Sequence, residues 1–285
     1  MAKKIDLGKI PLSDLYQVFK LDSKDNLNKK KARLFPSGNT ESETTTTSIF
    51  LSSLCAVKEY REQLLSTLCV NKIKTRNVNL FAFTELENET KQERPDGLLV
   101  ISSGKHNPII EWVAFIEAKV GNNLINEDQI SRYIQFGKEI GVKTLISISN
   151  EMVTSPTDSP ITTKSNFTLN HWSWKYVSVT AQKLIKDDLV EDEDHIFILR
   201  ELRRYIENHK NLKSHNHMGS DWKSSVTKIH SYDKDQKIDN SPLGTVTTSF
   251  KQEEKDISLE LTDSSSYLVE LVAKEDRAPL IEKML

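Results

Sequence analysis

Apolar residues recur along the chain in two rhythms, and each change of rhythm marks an element. Residues 45–68 place Phe50, Leu51, Leu54, Cys55, Val57, Leu64, Leu65 and Leu68 at three- and four-residue spacing, which predicts one helix with a core-facing stripe. The Thr and Ser run over 44–48 offers its N-caps. Residues 78–86, 97–102 and 111–120 are rich in strand formers. Between the last two, Ser103-Gly104-Lys105-His106-Asn107-Pro108 has the composition of a hairpin turn, so the three strands are expected to form an antiparallel meander. A second helix is expected over 126–140, with Asn126 as N-cap, Glu127 and Asp128 in its first turn and Gly141 at its end. Residues 143–149 read as a buried strand, and a strand–helix–strand unit implies parallel pairing. Residues 153–170 read as a long surface loop and 171–179 as a further strand. A helix over 192–209 carries Ile196, Leu199, Leu202 and Ile206, and the acids Asp187, Asp188 and 191–194 solvate its start.

Beyond residue 209 the patterning weakens. A short helix is expected over 222–230, a charged linker over 231–241, β-like sequence over 245–271 and a last helix over 273–285. The chain thus divides into a basic N-terminal arm (1–35), a core with its flanking helix (36–215) and a C-terminal extension (216–285).

Composition narrows the class. Of 285 residues, 37% are hydrophobic and 28% charged, enough to bury a core. No apolar run approaches the ~20 residues a membrane helix needs, and the charged N-terminus lacks a signal-like apolar stretch. Two cysteines, Cys55 and Cys69, make neither a disulfide framework nor a zinc cluster, and both are expected to be buried helix residues. A reduced, cytoplasmic protein without membrane contact is the expectation. The net charge of −2 argues against a surface that grips nucleic acid everywhere. The charge is uneven, however: residues 1–35 hold nine Lys/Arg against four Asp, centred on Lys29-Lys30-Lys31-Ala32-Arg33. That arm is either a solvated, partly flexible segment or a phosphate-contacting one.

The chemistry lies in the middle of the chain. Asp96 follows Pro95 at a strand entry, and Glu117-Ala118-Lys119 falls near the end of a strand. Strand residues i and i+2 point the same way, so Glu117 and Lys119 share a face. Two carboxylates and a lysine converging from adjacent strands can bind a hard divalent cation and hold a water beside it. This set resembles the PD-(D/E)XK nuclease superfamily, the restriction-endonuclease-like fold. The resemblance runs on to Gln129-Ile130-Ser131-Arg132-Tyr133, a Gln-x-x-x-Tyr helix seen in several branches, and covers about residues 41–180.

The resemblance implies an α/β protein with an α-β-β-β-α-β core, a mixed central sheet flanked by helices, and a helical or β extension at the C-terminus. It implies a Mg2+-dependent deoxyribonuclease (Mn2+ as a substitute) in which Asp96 and Glu117 hold the metal, Lys119 positions the water, and Gln129 and Tyr133 support substrate or lysine. It further implies an acid from the first helix, Glu43 with Glu41 as alternate, though a first-turn acid also complements the helix dipole. Glu85 is a candidate supporting acid, and Arg132 either contacts phosphate or faces solvent. Trp172 and Trp174, alternating on a strand, make either a platform for bases or a packed core edge. His215, His217 and Met218 lack further ligand signals. The expected partner is DNA, with a homodimer or a protein partner through the C-terminal segment; the expected setting is bacterial phage defence, restriction or repair. The alternative is a catalytically silent DNA- or protein-binding module on the same fold, acting as a subunit of a defence complex. No Gly-x-x-x-x-Gly-Lys-Ser/Thr occurs, so energy coupling would need a partner.

Overall fold

A computed structural model describes residues 6–34, 42–87, 93–151, 153, 155–163 and 166–212. The expected elements beyond 212, together with Glu41, His215, His217 and Met218, lie outside the described residues. The α helices are α1 (Leu15–Val18), α2 (Lys24–Lys29), α3 (Glu43–Ala56), α4 (Lys58–Thr67), α5 (Glu127–Ile140), α6 (Trp174–Lys186) and α7 (Glu193–Asn208). The strands are β1 (Val78–Thr84), β2 (Gly97–Ser103), β3 (Ile109–Ala118), β4 (Thr144–Ser149) and β5 (Thr168–Ser173). They make one mixed sheet in the order β1-β2-β3-β4-β5. The first three strands pair antiparallel, as a hairpin meander must, and β3–β4 and β4–β5 pair parallel. The protein is therefore α/β, with seven α helices among the described residues.

Alternation along β3 sorts its two faces. Val113 and Phe115 join the core cluster that includes Tyr133, Ile134 and Phe136 of α5, and Phe115 stacks on Phe136 at 5.4 Å. The other side of the sheet takes α3: a Cβ on Gly97 would lie 2.7 Å from Leu51 Cδ1 and 3.1 Å from Ile116 Cβ, so the close approach of α3 requires glycine there. Gly141 ends α5 with φ 84, the left-handed cap that glycine adopts without strain.

Four expectations need correction. The helix over 45–68 is two helices. Val57 leaves helical geometry (φ −96, ψ 111) to bury its side chain completely, and Arg61 donates to the freed Cys55 carbonyl at 2.8 Å. The N-cap of α3 is Ser42, whose Oγ accepts from Thr45 N at 3.2 Å, so the Thr run lies inside the helix. The strand over 171–179 stops at Ser173, whose Oγ caps α6 by accepting from Tyr176 N at 2.9 Å. Trp172 and Trp174 thus belong to different elements. Both are fully buried against the Phe50 ring, which makes them core and removes the base platform. Cys69 is exposed in a left-handed turn (φ 61) after α4, not buried in a helix.

The N-terminal arm is also built into the fold rather than loosely solvated. Leu7, Leu15, Phe19 and Leu27 are buried in the α5-side core. Lys31 bridges Phe83 in antiparallel register, with Ala32 N donating to Ala82 O at 3.0 Å and Thr84 N to Lys30 O at 2.7 Å. The segment extends the sheet edge at β1.

One buried group makes the fold acid-sensitive. His171 is 1% exposed on β5; its Nε2 faces the Glu151 carbonyl at 2.9 Å and must donate, so Nδ1 accepts from Ser147 Oγ at 2.8 Å. Burial lowers its pKa from 6.5 to about 4. A group depressed on folding contributes stability above its unfolded value and loses it as pH falls toward the folded one. Between pH 7 and pH 5 the expected loss through this residue is about 2 kcal/mol. Urea unfolding of the parent and of His171→Gln at both pH values should show this extra acid loss in the parent only; equal losses would contradict it.

Candidate active site

At one end of the sheet, three chain segments converge. Asp96 enters β2 behind Pro95; Glu117 and Lys119 lie at and just past the end of β3; Glu43 is the first residue of α3. Asp96 Oδ2 accepts from Ala118 N at 2.8 Å, so the aspartate is pinned to the strand that bears the other two groups. Lys119 Nζ lies 2.5 Å from Glu117 Oε1 and 3.2 Å from Glu43 Oε1. Its backbone is held on both sides: the N–H donates to Ile148 O at 2.7 Å, and the carbonyl accepts from Trp174 Nε1 at 2.8 Å. Strand-like alternation concealed this contact, because only the place of Trp174 at the start of α6 brings its indole to Lys119.

Glu117 is fully buried; no donor meets its Oε2 in good hydrogen-bond geometry, and the nearby Tyr133 hydroxyl helps lower the carboxyl's pKa. On the α5 side stands Tyr133, whose single proton goes to the Arg94 carbonyl at 3.1 Å while Gln129 Nε2 donates to the phenol oxygen at 2.9 Å. Gln129 and Tyr133 thus meet each other at i, i+4, and Tyr133 lies within reach of the Glu117 and Asp96 charges. Burial, then the Glu117 and Asp96 charges, hold the phenol proton on, well above the usual tyrosine range.

The charges are in conflict. Burial pushes Asp96 up to about 8; the Glu117 charge adds to this, and the Ala118 N–H and Lys119 oppose it. Burial also raises Glu117, with the Lys119 ammonium opposing. Burial alone would weaken the ammonium of Lys119, yet the carboxylates of Glu117, Asp96 and Glu43 outweigh it and hold the proton more tightly than usual. A lysine so placed acts as a cation, not as a base.

Comparison with family models, curated proteins and solved structures finds no match to this chain. The site therefore rests on its own geometry. Among the described residues, no group of three or more His, Cys, Asp or Glu side chains is arranged to hold a metal ion. Lys119 explains why Glu43 does not complete such a group: the ammonium bonds both Glu43 and Glu117.

The remaining candidates are placed as follows. Glu85 follows β1 with a left-handed backbone (φ 52), its N–H donating to Asp96 O at 3.3 Å and its carboxylate 3.4 Å from Arg94. Thr44 of α3 donates to the same carboxylate at 3.5 Å. Arg132 is 3.2 Å from Glu93, so its charge is engaged by an acid. Asp192 caps α7, accepting from Asp194 N and His195 N, so residues 191–194 take the expected helix-start role, whereas Asp187 C-caps α6 and Asp188 follows it in a left-handed turn.

Proposed function

We propose that the chain is a divalent-cation-dependent nuclease of the PD-(D/E)XK kind acting on DNA, with Asp96, Glu117 and Lys119 as its catalytic set. One observation carries the reading: a fully buried carboxylate with an unfilled acceptor, Glu117 Oε2, lies in electrostatic contact with a second carboxylate whose pKa is pushed up to about 8. A buried carboxylate oxygen short of donors beside a second carboxylate is costly unless a cation joins them. Hard oxygen donors from one or two carboxylates suit Mg2+ or Mn2+, which keep most of their waters. Asp96 and Glu117 would hold the ion, and Glu43 would stay the second partner of Lys119. When bound, the ion would acidify water and offset charge on the phosphoryl oxygens.

The chain's own residues supply the rest. The Lys119 ammonium, fixed at its backbone by Ile148 and Trp174, places positive charge where the pentavalent phosphorus centre gathers negative charge. Tyr133 and Gln129 close the α5 side of the carboxylates. The order helix, three antiparallel strands, helix, parallel strand supports the same reading. A setting in bacterial defence or repair belongs to the proposal as well.

The test is incubation of supercoiled plasmid and single-stranded DNA with the full chain in Mg2+, Mn2+ or EDTA. Cleavage in either metal and none in EDTA is expected; intact DNA of both forms in both metals would oppose the reading. The double engagement of Lys119 favours one alternative, a silent binding module in which the lysine seals the site. That alternative predicts DNA or protein binding that is indifferent to metal.

A further inference from the structure

Most cations flanking the candidate site are already engaged by acids. Lys119 pairs with Glu117 and Glu43, Arg94 lies 3.4 Å from Glu85 and 3.8 Å from Glu87, and Arg132 lies 3.2 Å from Glu93. A phosphodiester strand approaching this end of the sheet meets fixed negative charge, so it needs free positive charge nearby.

Residues 29–33 supply it. Lys29, Lys31 and Arg33 are exposed, and among the described residues no carboxylate lies within ion-pair distance of them. Lys29 makes only a 3.5 Å contact with Asn26 Oδ1, and Lys31 Nζ sits 5.8 Å from the centre of the Phe81 ring. The backbone beneath them is fixed. Lys30 O and Ala32 N bond to β1, and Arg33 N donates to Ser48 Oγ of α3 at 2.7 Å, whose hydroxyl returns to Arg33 O at 3.0 Å. Lys31 bridges Phe83, and Arg33 follows two residues on, held at its backbone by Ser48.

The segment is also tied to the site. Lys30 Nζ donates to the Glu85 carbonyl at 3.0 Å, and Glu85 N donates to the Asp96 carbonyl at 3.3 Å. The left-handed backbone at Glu85 (φ 52) is what turns its carbonyl toward Lys30 while its N–H holds Asp96. Two hydrogen bonds separate the basic segment from the candidate catalytic aspartate.

We infer that Lys29, Lys31 and Arg33 form a rigid phosphate-contacting ledge on the β1 edge that seats the DNA backbone beside Asp96. The inference deepens the proposed nuclease function and rests on it for the nature of the partner. The contacts are to phosphates, so the ledge confers affinity and register without reading sequence.

The experiment measures binding of a fluorescein-labelled DNA duplex to the full chain by anisotropy, with Ca2+ as the divalent ion, across a series of salt concentrations. The variants are K29Q/K31Q/R33Q, the charge-keeping K29R/K31R, and K74Q/R76Q before the far end of β1, where both side chains are exposed. Three lost phosphate contacts should reduce the slope of log affinity against log salt by about 3 and weaken binding about a hundred-fold near 0.1 M salt. K29R/K31R and K74Q/R76Q should bind as the parent does. The proposal is overturned if the triple glutamine variant keeps the parent's affinity and slope, if K74Q/R76Q loses as much, or if the parent does not bind the duplex. A parent that binds through the ledge yet cuts nothing in Mg2+ or Mn2+ would overturn the nuclease reading and leave the ledge standing. A parent that cuts, beside a triple variant that binds equally well, would overturn the ledge alone.

Discussion

Glu117→Gln is expected to lower metal-dependent DNA cleavage about a thousand-fold, some 4 kcal/mol of barrier, without lowering the stability of the fold. The substitution keeps the shape of the side chain and removes its charge. Glu117 is 0% exposed, its Oε2 meets no donor in good geometry, and burial already pushes it toward the neutral form. An amide there gives up little, because Lys119 keeps Glu43 as its partner at 3.2 Å. Asp96 loses a neighbouring charge that raises its pKa and ionises more easily. Catalysis loses a metal-binding oxygen and a charge that holds the Lys119 ammonium in place. A site maintained against stability is what function requires. Cleavage rates and urea midpoints of parent and variant check both halves. Activity within tenfold of the parent, or a variant that unfolds, would contradict the assignment.

The largest stability effect is expected at Phe50. Its ring is 1% exposed and makes edge contacts with Tyr60 at 6.5 Å, Trp172 at 6.0 Å and Trp174 at 5.9 Å. Phe50→Ala leaves a cavity where α3, α4, β5 and α6 meet, at a cost of about 3–5 kcal/mol. That is a large share of the roughly 5–15 kcal/mol a folded domain commands. The same cluster holds α3, which begins at Glu43, and Trp174, which fixes the Lys119 carbonyl. Phe197, 60% exposed on α7, is the control: its alanine variant should change stability by about 0.5 kcal/mol or less. The urea midpoint should fall sharply for Phe50→Ala at unchanged slope. Equal, small shifts for both variants would show that the aromatic cluster does not hold α3 to the sheet.

Much of this arrangement was legible because it follows from periodicity and caps. Asn126 and Gly141 bracket α5 as expected, and the turn at 103–108 joins two strands whose register brings Asp96 to Glu117. Gln129 and Tyr133 meet because i and i+4 always do on a helix. What escaped the sequence depends on tertiary packing. Trp174, Tyr176, Val177 and Val179 have strand-like side chains, yet Ser173 caps a helix and the core takes both tryptophans. Val57 breaks a continuous helical stripe, leaving helical geometry while its side chain is fully buried. The basic arm reads as a tail on charge alone; Leu7, Leu15, Phe19 and Leu27 fall on or beside separate short helical turns and make no continuous stripe that announces them as its anchor. Placing Glu43 needed the fold itself, because a first-turn acid looks the same whether it serves a helix dipole or a lysine seventy-six residues away.

The central claim is that Lys119, set between the Glu117 and Glu43 carboxylates just past the end of β3, serves phosphodiester hydrolysis. The measurement that tests it most directly is plasmid cleavage by the full chain in Mg2+, comparing the parent with Lys119→Ala at matched protein concentration. The account predicts nicked or linear plasmid from the parent, none in EDTA, and at least a hundred-fold less from the variant. Equal cutting by the two proteins would contradict it.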